Sequence, residues 1–257
     1  MAQKTLSWYH GHREYFMLTA HRGASYEFPE NTFLAMQKAV EAGADMIEFD
    51  LRGTSDNVPV LLHDETINRT SDGSGIPEDY TLAELKKFNF SWYLQNQRRS
   101  TPVYDTMEIP TFEEILDAFR DKVCMNIQTY AKNQQTLARI CALFREYDMY
   151  DRGYLTIYPD YIEAVRALDP QIEVCVTRGW ETRSNPENLR LCKEENQCRF
   201  VQPIRQFTDE KAYALIRELG MRSNTFFTDD PEEMKEAKRI GAEGILTNKI
   251  HLLASFR

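Results

Sequence analysis

The strongest constraint on the fold is a rhythm. After residue 15, short apolar runs of strand length alternate with amphipathic stretches of helical spacing almost to the end of the chain. YFMLTAH reads as a strand. The stretch from Asn31 to Ala42 reads as a helix, with Asn31 or Thr32 as its cap, an apolar face of Phe33, Leu34, Ala35 and Val40, and Gly43 as its stop. MIEFDL and VPVLLHD follow as strands. Further on, TFEEILDAF, LARICALFREY, YIEAVRAL, DEKAYALIREL and PEEMKEAKRI read as helices. They interleave with the strand-like runs VCMNIQTY, GYLTIY, IEVCVTR, FVQPI, SNTFFT and GILTN. Such alternation dictates a parallel sheet with helices outside it. So many units in 257 residues favour an α/β fold closed as a (β/α)8 TIM-type barrel over an open sheet.

The strand candidates exceed the ideal barrel by one. MIEFDL and VPVLLHD are joined only by RGTSDN, too short for the crossover that a parallel pair needs. Either one of them is not a barrel strand or the barrel is irregular there. After the third strand, residues 65–110 break the rhythm with Gly73, Gly75, Pro77, a short helical TLAELKKF and the polar QNQRRSTPVY. An irregular stretch of this length at a strand end reads as an insertion at the barrel mouth. No linker rich in Pro, Gly or Ser divides the chain, so residues 1–257 read as one domain. The insertion's aromatics, Phe88, Phe90, Trp92, Tyr93 and Tyr104, are expected to pack, with contact to a substrate as the alternative. The run from Gln95 to Ser100 is expected to be a solvated loop.

A formal charge of -9 argues against a nucleic-acid surface while leaving room for a local basic pocket. No apolar run reaches the ~18 residues of a transmembrane span. The first sixteen residues carry no continuous apolar stretch and no small-residue cleavage site, so the expected location is cytoplasmic, with a removed leader left open. Cys124, Cys141, Cys175, Cys192 and Cys198 are odd in number without CxxC spacing, and read as reduced core residues. The oligomeric state is not legible.

The chemistry gathers at strand ends, where barrel active sites form. His21, Glu48, Asp50 and His63 all fall there. Glu48 and Asp50 are two apart on one strand and therefore face one way. Two carboxylates aimed into one mouth repel unless a cation lies between them, and a hard divalent ion is the natural one. His21 and His63 supply groups able to act as acid or base near neutral pH. Arg22 can fork onto a phosphate. A metal and an arginine on the phosphoryl oxygens, with a histidine on either side, is apparatus for in-line attack at phosphorus.

From Phe16 onward the chain resembles the glycerophosphodiester phosphodiesterase family. The resemblance is carried by HRG at His21–Gly23, PENT at Pro29–Thr32, ExD at Glu48–Asp50, TSD at Thr54–Asp56 and PVLLHD at Pro59–Asp64, with SNTFFTDDPEEM and GAEGILTN near the end. It implies a barrel phosphodiesterase whose two histidines act as acid and base. A divalent metal, Mg²⁺ or Ca²⁺, would sit on the ExD pair and a third acid. The substrate would be a small phosphodiester, cleaved to glycerol phosphate and an alcohol.

The third acid is where this chain departs. The family pattern resembles NIEIK, whereas here the strand reads Asn126-Ile127-Gln128-Thr129-Tyr130. Gln128 takes the place of the acid and can still offer a neutral oxygen ligand. Tyr130 takes the place of the lysine, so a positive charge near the phosphate is lost, and Arg178 in VTRGW is a candidate to replace it. Asn248 stands at an Asp position of the pattern and reads as a minor change. The departure leaves a second reading, a degenerate relative that binds a phosphodiester or partner without efficient turnover.

Overall fold

In the computed structural model, residues 4–253 are described, so the outermost ends of the expected 1–257 domain lie outside the described residues. Eight parallel strands build the barrel: β1 Met17–His21, β2 Met46–Arg52, β3 Cys124–Thr129, β4 Gly153–Ile157, β5 Val174–Val176, β6 Phe200–Val201, β7 Arg222–Ser223 and β8 Gly244–Thr247. The ladder runs β8-β1-β2-β3-β4-β5, and β6 pairs with β7. Beyond β7, Thr225 donates to the Gly244 carbonyl and accepts from Leu246, which joins β7 to β8. Between β5 and β6 no strand pairing is recorded among the described residues, so the barrel is irregular on that side.

The surplus strand candidate is explained. Val60–Leu61 pairs antiparallel with the end of β2, Leu51 opposite Leu61 and Arg52 opposite Val60. RGTSDN is thus a turn, not a crossover, and VPVLLHD folds back beside the barrel to bring His63 to its mouth. The expected strand in SNTFFT begins one residue earlier, as Arg222–Ser223, and continues beyond Ser223 only as isolated bridges at Thr225 and Phe226.

Helices α1 Leu6–Gly11, α2 Phe33–Glu41, α3 Phe112–Phe119, α4 Gln134–Glu146, α5 Ile162–Leu168, α6 Pro186–Glu194, α7 Glu210–Glu218, α8 Pro231–Arg239 and α9 Ile250–Leu253 complete the frame. Thr32, rather than Asn31, caps α2 by accepting from the Ala35 amide, and Gly43 follows its end at φ +81°. All five cysteines are buried and unpaired. The insertion holds a short helix, Leu82–Leu85, and a hairpin of Tyr93–Leu94 with Gln97–Arg98. Its buried Ile67, Leu85, Phe90 and Ile109 join Val60 and Leu62 in a small core of their own.

Strand alternation sets the barrel interior in layers. At the base, Met17, Met46, Cys124, Tyr154, Cys175 and Phe200 pack with Leu6 and Tyr9 of α1, which plugs that end. Arg222 is fully buried and donates to the Tyr9, His12, Tyr15 and Glu243 carbonyls, which fastens the plug. Two residues further along each strand the interior turns polar. Thr19 donates to Asn224, Asn224 to the Tyr154 hydroxyl, Asn126 to Gln202, and Thr156 to Asn126. These partners remove the cost of about 1–3 kcal/mol that each buried polar group would otherwise carry. Another step along β1, β2 and β3 come His21, Asp50 and Gln128.

Candidate active site

Register brings the sequence candidates together. His21 lies opposite Glu48 on β2, and Asp50 opposite Gln128 on β3. A cavity of about 250 Å³ at this end is lined by His21, Arg22, Glu48, Asp50, His63, Gln128, Tyr130, Tyr158, Trp180, Arg183, Gln202 and Phe226. The chain leaves β1 through two left-handed residues, Arg22 at φ 55° and Gly23 at φ 78°. A Cβ on Gly23 would lie 2.6 Å from the Ala35 carbonyl carbon, so glycine is required there. The turn aims the Arg22 amide at Glu48 Oε2, 2.9 Å away.

The two histidines are held differently. Asn248 Nδ2 donates to Asp229 at 2.8 Å, so its Oδ1 faces His21 and accepts from Nδ1 at 2.8 Å. Ser25 donates to the same oxygen. Nδ1 therefore carries the proton, and Nε2, 3.9 Å from Glu48 Oε2, presents a lone pair. Burial and the adjacent Arg22 charge push the His21 imidazole down to about 4. His63 donates from Nδ1 to Asp64 Oδ1 at 2.8 Å. Asp64 also receives Arg69 Nε at 2.6 Å and Nη2 at 2.9 Å. Partial burial raises the Asp64 carboxyl, but the bonds from His63 and Arg69 outweigh it and hold it well below the usual range. Arg52 anchors the backbone here, donating twice to the His63 carbonyl.

Several residues that build the site were not singled out from the sequence. Glu30, in PENT, accepts from Arg22 at 2.8 Å and twice from Arg69 at 2.8 Å. Burial alone would raise its carboxyl, but the two guanidiniums bring it down to about 2. Arg69, from the insertion, links Glu30 to Asp64, so one ion-pair chain runs from Arg22 to His63. Asn31 sits at φ 55°, donates to Asp50 Oδ2 at 2.8 Å and accepts from the Asp50 amide at 3.2 Å. Truncation at Asn31→Ala would leave both Asp50 groups short of a partner, a loss of about 1–3 kcal/mol measurable by denaturant unfolding.

The arginine expected from VTRGW is elsewhere. Arg178 donates to Asn196 at 3.1 Å and does not line the cavity, whereas Arg183, five residues on, does. The insertion's aromatics do not line it either. Phe90 is buried in the insertion's core, and Tyr93 lies 4.3 Å beneath Arg69. The aromatic wall comes from Tyr130, Tyr158, Trp180 and Phe226. Arg98, in the expected solvated run, ties the loop down by donating to the Asn68, Arg69 and Ser71 carbonyls.

The fold implies a divalent cation, and the donors at hand fit one. Of the four carboxylates gathered here, the guanidiniums of Arg22 and Arg69 pair with three, Glu30, Asp50 and Asp64. Arg22 Nε reaches Asp50 at 3.2 Å. Glu48 is left with the Arg22 amide, and burial together with the Asp50 charge pushes its carboxyl well above the usual range. Such a carboxylate is stabilised by a bound cation. Among the described residues no group of three His, Cys, Asp or Glu side chains is arranged to hold a metal. A further oxygen donor lining the same cavity is the Gln128 amide, for which no side-chain hydrogen bond is found among the described residues. Hard oxygen donors of this kind suit Mg²⁺ or Ca²⁺.

Known proteins resemble this chain in sequence and in fold. The chain is 27% identical over 254 residues to the glycerophosphodiester phosphodiesterase of Caldanaerobacter subterraneus subsp. tengcongensis, covering 90% of this chain and 93% of that one. It is 39% identical over 115 residues to the Bacillus subtilis glycerophosphodiester phosphodiesterase, a match spanning 44% of this chain and 39% of that relative. The crystal structure of glycerophosphodiester phosphodiesterase from Agrobacterium tumefaciens superposes with a TM-score of 0.79 at 21% identity, covering 93% of this chain and 99% of that one. An Oleispira antarctica phosphodiesterase, solved in complex with the product sn-glycerol-3-phosphate, gives 0.79 at 23% identity, covering 93% and 95%. At these identities the two structures establish the TIM-barrel fold. Residues 21–252, which include both histidines and both carboxylates, match the family described as glycerophosphoryl diester phosphodiesterase, and the chain belongs to that family.

Proposed function

We propose that His21 and His63 carry out the glycerophosphodiester hydrolysis that defines this family, with His21 as the base and His63 as the acid. The observation that carries this reading is the pair of hydrogen bonds behind the imidazoles. Asn248 fixes the His21 proton on Nδ1, so Nε2 takes a proton from the attacking oxygen. The Nδ1–H bond to Asp64 orients the His63 ring, and in this reading Nε2 delivers a proton to the departing alcohol oxygen. The attacking oxygen belongs to water or to a free hydroxyl of the substrate's own glycerol. Glu48, Asp50 and the Gln128 amide oxygen are the residues that would hold Mg²⁺ or Ca²⁺. Bound there, the ion would neutralise charge on the phosphoryl oxygens. Residues 65–110 work as part of the same unit in this reading, because Arg69 of the insertion holds Asp64.

The test is release of glycerol phosphate from glycerophosphocholine and glycerophosphoglycerol in Mg²⁺, Ca²⁺ or EDTA. Release that EDTA abolishes is the expected result. The neutral Gln128 and the uncharged Tyr130 favour one second reading, a relative that binds a phosphodiester without efficient turnover. Binding of either compound with no release in any metal would establish that reading instead.

A further inference from the structure

We propose that Arg183, on the loop after β5, is the phosphoryl-binding cation of this site, in place of the lysine whose position Tyr130 occupies. The proposal rests on the hydrolysis reading for the identity of the anion, and on the charge inventory of the cavity for the residue.

Four arginines approach the site, and three are already engaged. Arg69 is shared by Glu30 and Asp64. Arg52 spends two donors on the His63 carbonyl. Arg22 lines the cavity, but its Nη1 is bound to Glu30 at 2.8 Å and its Nε faces Asp50 at 3.2 Å. Its charge therefore serves to hold carboxylates together. Arg183 shares the cavity with Arg22 but not its engagement. It lines the same cavity, and no carboxylate partner is recorded for it among the described residues. Its two hydrogen bonds are long and go to backbone carbonyls, Nε to Gly179 at 3.4 Å and Nη1 to Gln202 at 3.3 Å. Burial lowers the guanidinium from the ordinary arginine range, as expected for a positive charge taken from water without compensation. An uncompensated cation at the wall of a polar cavity is an anion site awaiting its anion.

The loop that carries Arg183 is fixed. Gly179 turns it at φ 63°, and the Asn185 amide donates to the Thr182 carbonyl at 2.9 Å. Asn188 Nδ2 donates to the same carbonyl at 2.8 Å and to that of Arg178 at 3.3 Å. Next to Arg183, Ser184 is buried against Thr208 at 2.6 Å. The Trp180 ring lies 5.6 Å from the guanidinium carbon and covers it on one side. The fork is therefore preorganised, so binding a phosphoryl group costs little rotamer entropy. Tyr130, on another wall of the cavity, brings no charge.

The experiment is calorimetric titration of sn-glycerol 3-phosphate, in Mg²⁺, into wild type, Arg183→Gln and Arg183→Lys, with thermal unfolding to establish that each variant is folded. A charge-assisted hydrogen bond of ordinary strength predicts about 10- to 100-fold weaker binding for Arg183→Gln, with Arg183→Lys in between. In kinetics on glycerophosphocholine, Arg183→Gln is expected to lower kcat as well as raise KM, because charge on the phosphoryl oxygens grows at the transition state. Binding by Arg183→Gln within about twofold of wild type, or equal losses in the Lys and Gln variants, overturns the proposal. A wild type that binds glycerol phosphate through Arg183 yet releases none from substrate overturns the hydrolysis reading and leaves Arg183 standing.

Discussion

His63→Ala should lower kcat/KM for an alkyl glycerophosphodiester such as glycerophosphocholine by about 10²–10⁴-fold, the usual worth of a positioned acid or base. The protein should stay folded, because the His63 side chain is about one-third exposed and belongs to no apolar core. The assignment of His63 as the acid makes a sharper demand. A p-nitrophenyl diester has a leaving group that departs as an anion near neutral pH and needs no proton. With that substrate most of the His63→Ala loss should disappear. His21→Ala should lose a similar factor with both substrates, since the attacking oxygen must give up its proton in either case. Reversal of this pattern, with His21→Ala rescued by the better leaving group, would exchange the two roles. Equal losses on both substrates for both variants would mean that neither histidine is confined to the leaving-group side.

Much of this site was legible because a strand obeys a period of two. Glu48 and Asp50 had to share a face, and the abrupt ends of the apolar runs at His21 and His63 marked the mouth. The alternation that predicted the barrel also predicted the end of it at which these residues would gather. What escaped was whatever depends on closure of the barrel. Asn248 looked like a minor exchange, yet β8 pairs with β1, and that pairing sets its amide 2.8 Å from His21 across 227 residues of sequence. The Glu30–Arg69–Asp64 chain joins a loop to the insertion, and spacing carries no signal for such a contact. Asn31 read as a helix cap because its side chain has the right chemistry for one. Its left-handed backbone sends that side chain to Asp50 instead. Arg178 and Arg183 flank one turn, and only the turn's geometry decides which of them faces the cavity.

Gln128→Glu tests the remaining departure through the metal rather than through turnover. The substitution would put a third carboxylate opposite Asp50 and beside Glu48, both nearly fully buried. Two effects of opposite sign follow. Without a cation, a third negative charge beside the buried Glu48 and Asp50 meets like charges, and the adjacent Arg22 is already shared by Glu30 and Asp50, so the variant should melt below wild type in EDTA. With a cation, the added charge should tighten Mg²⁺ or Ca²⁺ binding by about 10- to 100-fold, since ligand charge is a principal determinant of affinity at oxygen sites. At a fixed saturating concentration, a 100-fold gain is worth about 2.7 kcal/mol of further stabilisation. For a chain of this size that is about 5–10 °C in Tm. The separation between the EDTA and metal melting curves should therefore widen from both ends. A separation unchanged from wild type would mean that the amide at 128 does not face the ion and that Glu48 and Asp50 hold it alone. A wider separation would make the natural glutamine a device for weak metal retention. The wild-type enzyme would then respond to changes in free Mg²⁺ or Ca²⁺ over a range in which a three-carboxylate site stays filled.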